Sequence, residues 1–140
     1  MKGVCTMKYI YPVIFTPSKE GGYEIVFPDF PQIHTDGDTL EEAFEMAEDA
    51  LNLTLWDMEE SHDTIPTPTP ITAITAIEHA ITAIIKADTL EYRKQNDTKS
   101  IKKTLSIPRW LDTLAKERNV NFSHILQNAL MTELNLHDQR

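Results

Sequence analysis

The chain holds 140 residues, of which 41% are apolar and 25% charged, with a formal net charge of −9. This composition fits a globular protein with one domain or two small ones, and no run of about 18 apolar residues is available to span a membrane as a helix. A single cysteine, Cys5, excludes an internal disulfide and a cysteine metal cluster. Residues 1–7 lack the apolar stretch of a signal peptide, so a cytoplasmic protein is expected. Met7-Lys8 reads as an equally sensible start, with residues 1–6 as an addition.

Charge is unevenly spread. Residues 1–70 carry 3 basic and 14 acidic side chains, net −11. Residues 71–98 are near neutral at −1, and residues 99–140 are basic at +3. A basic end can meet phosphate. An acidic half can meet a basic protein, or its acids can simply face water.

Lys8 to Thr16 is rich in β-formers and predicts a strand. Pro12 inside it lacks a ladder donor, which predicts an edge strand or a bulge. Gly21-Gly22 marks a turn, and Tyr23 to Phe27 alternates as a second strand, so the two make a hairpin. Pro28-Asp29-Phe30-Pro31 reads as a rigid corner, followed by a short strand over Ile33 to Thr35 and a turn at Asp36-Gly37-Asp38.

Thr39 and Glu42 form a capping box that opens a helix running to about Glu59. Its apolar stripe is Leu40, Ala43, Phe44, Ala47, Ala50, Leu51, Leu55 and Met58. Glu41, Glu42, Glu45, Glu48 and Asp49 face water or a partner. Residues 61–70 form a stiff loop, with Pro66, Pro68 and Pro70 alternating with threonine. Ile-Thr-Ala-Ile recurs at 71–74, 74–77 and 81–84, too short a unit for a solenoid, and its threonine and isoleucine favour strand. Ile81 to Ala87 predicts a fourth strand, and the polar stretch 91–98 a linker.

Ile101 to Ile107 alternates, with Ile101, Leu105 and Ile107 on one face and Lys102, Thr104 and Ser106 on the other. Lys103 interrupts the apolar face. Pro108 opens a helix with Leu111, Leu114 and Ala115 on its apolar side. Asn119 suits the left-handed end of that helix. Asn121 is a good N-cap for a second helix, from Phe122 to about Leu136, whose stripe includes Ile125 and Leu126.

A strand and two short helices cannot bury enough apolar surface to fold alone. Two copies that pair their strands antiparallel remove the difficulty and form a ribbon fit for a major groove. The expected DNA-binding residues are Lys102, Lys103, Thr104 and Ser106 on the ribbon, with Asn121 and Ser123 offering helix N-terminal amides to phosphate. The expected dimer core is Leu105, Ile107, Leu111, Ile125 and Leu126. A strand-helix-helix piece of one larger domain, with a solvated polar face, is the alternative.

The residues of this tail, Ile-Lys-Lys-Thr-Leu-Ser-Ile-Pro-Arg-Trp-Leu-Asp and Asn-Phe-Ser-His-Ile-Leu-Gln-Asn-Ala-Leu, resemble those of the HicB antitoxins. The front is similar too, through Tyr11-Pro12-Val13-Ile14-Phe15, Gly22-Tyr23, Phe27-Pro28-Asp29-Phe30-Pro31 and Gly37-Asp38-Thr39-Leu40-Glu41-Glu42-Ala43. The resemblance spans Met7 to about Leu136. One departure is Gln32-Ile33, where many relatives carry Gly-Cys.

The resemblance implies an α+β chain. Its front, residues 7–90, is an antiparallel sheet with one packed helix, partly RNase H-like. A linker follows at 91–98, then a dimerising ribbon-helix-helix at 99–137. It implies that the front binds and blocks a small basic HicA-like mRNA interferase. It also implies that the tail represses the operon through operator DNA, as a homodimer or higher oligomer. Candidate toxin contacts are Asp29, Phe30, Glu41, Glu45 and Glu48. An orphan repressor with a ligand-sensing or oligomerising front is the second reading.

No catalytic residue, metal or cofactor is expected, so the chain is read as non-enzymatic. Asp29, Asp36, Asp38 and Asp49 are the carboxylates a nuclease would need, but three lie in turns and no spacing gathers them. His34, His62, His79, His124 and His137 lack ligand spacing. Trp56 and Trp110 read as packing residues, with the DNA backbone or a partner subunit as the alternative for Trp110.

Overall fold

A computed structural model describes residues 7–75 and 77–136. Cys5, the alternative starts within residues 1–6 and His137 lie outside the described residues. The chain divides into two units, residues 7–98 and the residues from Lys99 onward.

The front unit is a four-stranded antiparallel sheet with a long helix on one face. Its strands are β1 (Lys8–Pro17), β2 (Tyr23–Phe27), β3 (Phe30–Gly37) and β4 (Ile81–Asp88), in the order β3-β2-β1-β4. The long helix α1 (Leu40–Glu60) follows β3. Alternation along the strands turns Tyr11, Val13, Phe15, Ile25, Phe27, Ile33, Ile85 and Ala87 to one face. Ala43, Ala47, Leu51 and Leu55 recur every four residues and seat α1 upon it, fully buried. The small pair Ala43 and Ala47 lets the helix approach closely. At Gly37 a Cβ would lie 2.6 Å from the Ala43 backbone nitrogen, so only glycine fits where β3 passes the first turn of α1.

The capping box forms as expected. Thr39 Oγ1 accepts from the Glu42 amide at 3.1 Å, and Glu42 reaches back to the Asp38 amide at 3.2 Å. The fourth strand also agrees with the sequence reading, extending one residue further, to Asp88.

Four local expectations are corrected. Pro12 lies in a central strand, not an edge strand. It is tolerated because β2 pairs only with Ile14 to Pro17, leaving the first half of β1 with a ladder on the β4 side alone. The Pro28–Pro31 corner is a two-residue turn: Phe27 pairs with Phe30 across Pro28-Asp29, and β3 starts earlier than Ile33. Residues 71–73 make a 3₁₀ turn rather than strand. Most of the expected linker 91–98 is helical, within α2 (Thr89–Asn96).

Side-chain bonds fasten α2 to α1. Arg93 pairs with Glu59 at 3.0 Å and Glu60 at 2.6 Å, and the Tyr92 hydroxyl donates to Asp49 at 3.0 Å. Trp56 packs edge-on against Tyr92, 5.8 Å between ring centres. Glu59 also accepts from the Tyr9 hydroxyl at 2.7 Å and from the Thr89 hydroxyl at 2.9 Å. Thr89 itself is fully buried. The front unit therefore extends past residue 90, to Thr98.

The tail unit holds α3 (Arg109–Glu117) and α4 (Phe122–Glu133). Asn119 adopts φ 54°, and the amides of Val120 and Asn119 donate to the Ala115 and Lys116 carbonyls. This is a Schellman ending, as the sequence predicts. Asn121 caps α4 by accepting from the His124 amide at 3.0 Å. The same kind of ending closes α4 at Asn135, φ 55°, three residues sooner than expected. Residues 97–108 have no helix or strand within the chain.

Candidate nucleic-acid and partner surfaces

The tail is defined by what it leaves uncovered. No residue of α3 or α4 is buried. Leu105 is 62% exposed, Trp110 65% and Ile125 53%, with Ile107 and Leu111 also open. Apolar side chains at helical spacing on both helices are thus left without a core. Leu126, expected in the same shared core, is half-buried. The expected strand 101–107 is not formed in one chain, because a strand needs a cross-strand partner and this segment has none among the described residues. Trp110 is not a packing residue of the single chain.

The expected DNA contacts all belong to this unit. Lys102, Lys103, Thr104 and Ser106 are exposed in the segment before α3, and Asn121 and Ser123 stand at the start of α4. Asn121 spends its side-chain oxygen on the cap, where it accepts from the His124 amide.

On the front unit, α1 carries eight acidic side chains and no Lys or Arg. Glu41, Glu45 and Glu48 are exposed. Of two other expected contacts, one is corrected and one is engaged within the chain. Phe30 is 1% exposed and packs edge-on against Tyr11 and Phe27, so its ring is core. Asp29 accepts from the Thr69 amide at 3.0 Å and from its hydroxyl at 2.6 Å. Its carboxylate anchors the proline-rich strap of residues 66–70 onto the β2–β3 turn. The Tyr11 hydroxyl secures the same strap by donating to the Pro66 carbonyl. Burial raises the Tyr11 pKa above its ordinary value, and the nearby charge of Asp29 raises it further. Tyr92 is raised in the same direction, first by burial and then by its bond to Asp49. The sequence missed Thr69, Glu59 and Arg93, whose partners lie 30 or more residues away.

Among the described residues, no group of three or more His, Cys, Asp or Glu side chains is placed to hold a metal ion. Among the same residues, no helix is long and apolar enough to cross a membrane.

The model of one family, described as the HicB_like antitoxin of bacterial toxin-antitoxin system, matches residues 11–130. The chain belongs to this family. Antitoxin HicB 1 of Photorhabdus laumondii is 49% identical over 61 residues, covering 44% of this chain and 39% of the relative. Antitoxin HicB of Escherichia coli K12 is 48% identical over 62 residues, 44% of each chain. The match thus spans less than half the length of either relative. Among solved structures, a toxin–antitoxin complex from Streptococcus pneumoniae contains a chain similar at TM-score 0.59 and 28% identity, covering 90% of this chain and 99% of that one. The antitoxin HicB of Burkholderia pseudomallei shares the fold at TM-score 0.52 and 21% identity, covering 88% of this chain and 96% of that one.

Proposed function

We propose that this chain is the antitoxin of a two-protein system. In this reading its acidic front binds and neutralises a small basic HicA-like mRNA interferase. Its tail binds operator DNA as a dimer and represses the operon for both proteins. The observation that carries the reading is the division of charge and burial between the two units. The front has a complete core and an all-acid helix. The tail is the basic end, with an exposed apolar surface.

Chemistry favours each assignment. Glu41, Glu45 and Glu48 project from α1 without a basic neighbour on that helix, which suits the Lys- and Arg-rich face of an RNA-binding protein. In the tail, two copies pairing residues 101–107 as a ribbon would satisfy the bare backbone and cover Leu105 and Ile107. Lys102, Thr104 and Ser106 would then line the solvent side of the ribbon. This is a ribbon-helix-helix arrangement, and the front corresponds to a partial RNase H-like sheet whose role is binding rather than catalysis.

Co-expression with a small basic protein encoded beside this gene tests the reading. A tight, salt-sensitive complex and protection of RNA from that protein are expected. An RNA substrate that is cleaved as fast with the antitoxin present as without it would sink the idea.

A further inference from the structure

Seating α1 on the sheet uses one side of the helix. Another side, turned away from the sheet, carries a second and narrower apolar row. Met46, Ala50 and Leu53 follow one another at spacings of four and three residues, so they are neighbours on the helix surface. Met46 is 38% exposed and Leu53 51%, whereas Ala47 and Leu51, one and two positions away, are fully buried. Ala50 between them is half-buried. Phe44, also partly exposed, belongs instead to the sheet side, since its ring meets that of Phe15 at 4.7 Å between centres. Carboxylates rim the row. Glu42 stands one turn before Met46 and Asp57 one turn after Leu53, with Glu45 and Asp49 along one flank.

We propose that this row docks an amphipathic helix of a basic protein, one whose apolar stripe is rimmed by lysine or arginine. Met46 and Leu53 are the anchors, and Ala50 is the notch between them. The inference rests on the antitoxin reading and adds to it the place and the means by which the basic partner is held. Charge complementarity selects the occupant. The cation that α2 brings to α1, Arg93, is spent on Glu59 and Glu60. Among the described residues, Glu42, Glu45, Asp49 and Asp57 have no ion-pair partner, so the rim keeps its negative charge for a cation from outside. Nucleic acid is repelled by that rim, and so is a second copy of α1 with acids of its own.

The shape of the row favours a helix. Side chains spaced three and four apart form a ridge, and a ridge fits the groove between the ridges of a second helix. The small central residue lets that helix approach closely. Acids alone attract any basic chain. An apolar centre inside a charged rim adds a contact that water must leave, and such contacts carry most of the affinity of an interface.

Calorimetric titration of the full-length protein with the small basic protein encoded beside its gene tests the inference. Leu53→Glu separates charge from apolar contact, because it adds an acid while removing an anchor. If charge alone held the partner, this variant would bind as tightly as the wild type or more so. The expected result is binding about tenfold weaker. Leu53→Ala, which adds no charge and spares the fold, is expected to bind about fivefold more weakly, and Met46→Ala about threefold. Ile77→Glu, at a 55% exposed position in the loop before β4, is the control and is expected to bind like the wild type. Leu53→Glu and Leu53→Ala that bind as tightly as the wild type overturn the inference and leave the antitoxin reading standing. A wild type that does not bind overturns both. Equal losses in Ile77→Glu and Leu53→Glu overturn the inference, since the effect would then not belong to this row. So does a change of assembly size in Leu53→Glu with partner binding intact, which would assign the row to a second copy.

Discussion

The two units use similar residues to opposite ends. Leu51 and Leu55 in α1 are fully buried, whereas Leu111 and Leu114 in α3 stand 41% and 50% exposed. Both helices are amphipathic and properly ended. The difference is that α1 faces a four-stranded sheet of its own chain, while α3 faces no such layer among the described residues of its unit. An apolar stripe shows that a helix will be covered; it does not show by whom. The front is thus a unit that completes its own core, whereas the tail leaves its apolar stripes open, as the proposed pairing with a second copy requires.

The largest effect that would break this contrast is loss of tail assembly. Leu126→Glu is expected to abolish pairing and with it operator binding, while far-UV circular dichroism still reports an intact sheet. A protein that remains fully paired by light scattering would show that the tail core lies elsewhere. In the front, Leu51→Ala is expected to cost about 2–5 kcal/mol by urea unfolding, since the side chain is wholly buried. Pairing of the tail should be unchanged while the front stays folded, which would separate the two units energetically.

Lys102→Ala and Thr104→Ala sharpen the comparison further. Each should weaken operator binding by about 1–3 kcal/mol if it contacts a base edge, and neither should alter assembly size. Gel-shift titrations at two salt concentrations would separate a base contact from a phosphate contact, since only the latter lowers the salt dependence.

The smallest effect belongs to Tyr11. Its pKa is raised in the folded protein, so its contribution to stability is complete below the ordinary value of 10.0 and is lost as pH rises through the folded value. Tyr11→Phe removes the bond to the Pro66 carbonyl, at a cost of about 1 kcal/mol at neutral pH. It should also flatten the fall in stability above about pH 10. Unfolding curves across that range would show whether the two profiles converge. Parallel profiles would mean that the phenol does not ionise on unfolding.

Much of the front was legible because its signals are local. Alternation placed β1, β2 and β4, the capping box placed α1, and Asn119 and Asn121 marked the turn between α3 and α4. The misreadings share a cause, which is dependence on distant partners. Residues 91–96 read as a linker because their own pattern is polar; they form a helix whose arginine and tyrosine meet carboxylates on α1. Phe30 read as a surface contact because prolines on either side of it suggested an exposed corner; pairing with Phe27 turns it into the core.

By itself, then, the sequence determined three of the front's strands, the long helix and its cap, the turn between α3 and α4, and how charge divides between front and tail. Those properties depend on residues within a few positions of one another. Only the tertiary structure decided that β1 is central, that Asp29 fastens the strap through Thr69, and that α2 belongs to the front. It also decided which apolar surfaces stay open, because burial depends on the elements that meet in space, and periodicity does not name them.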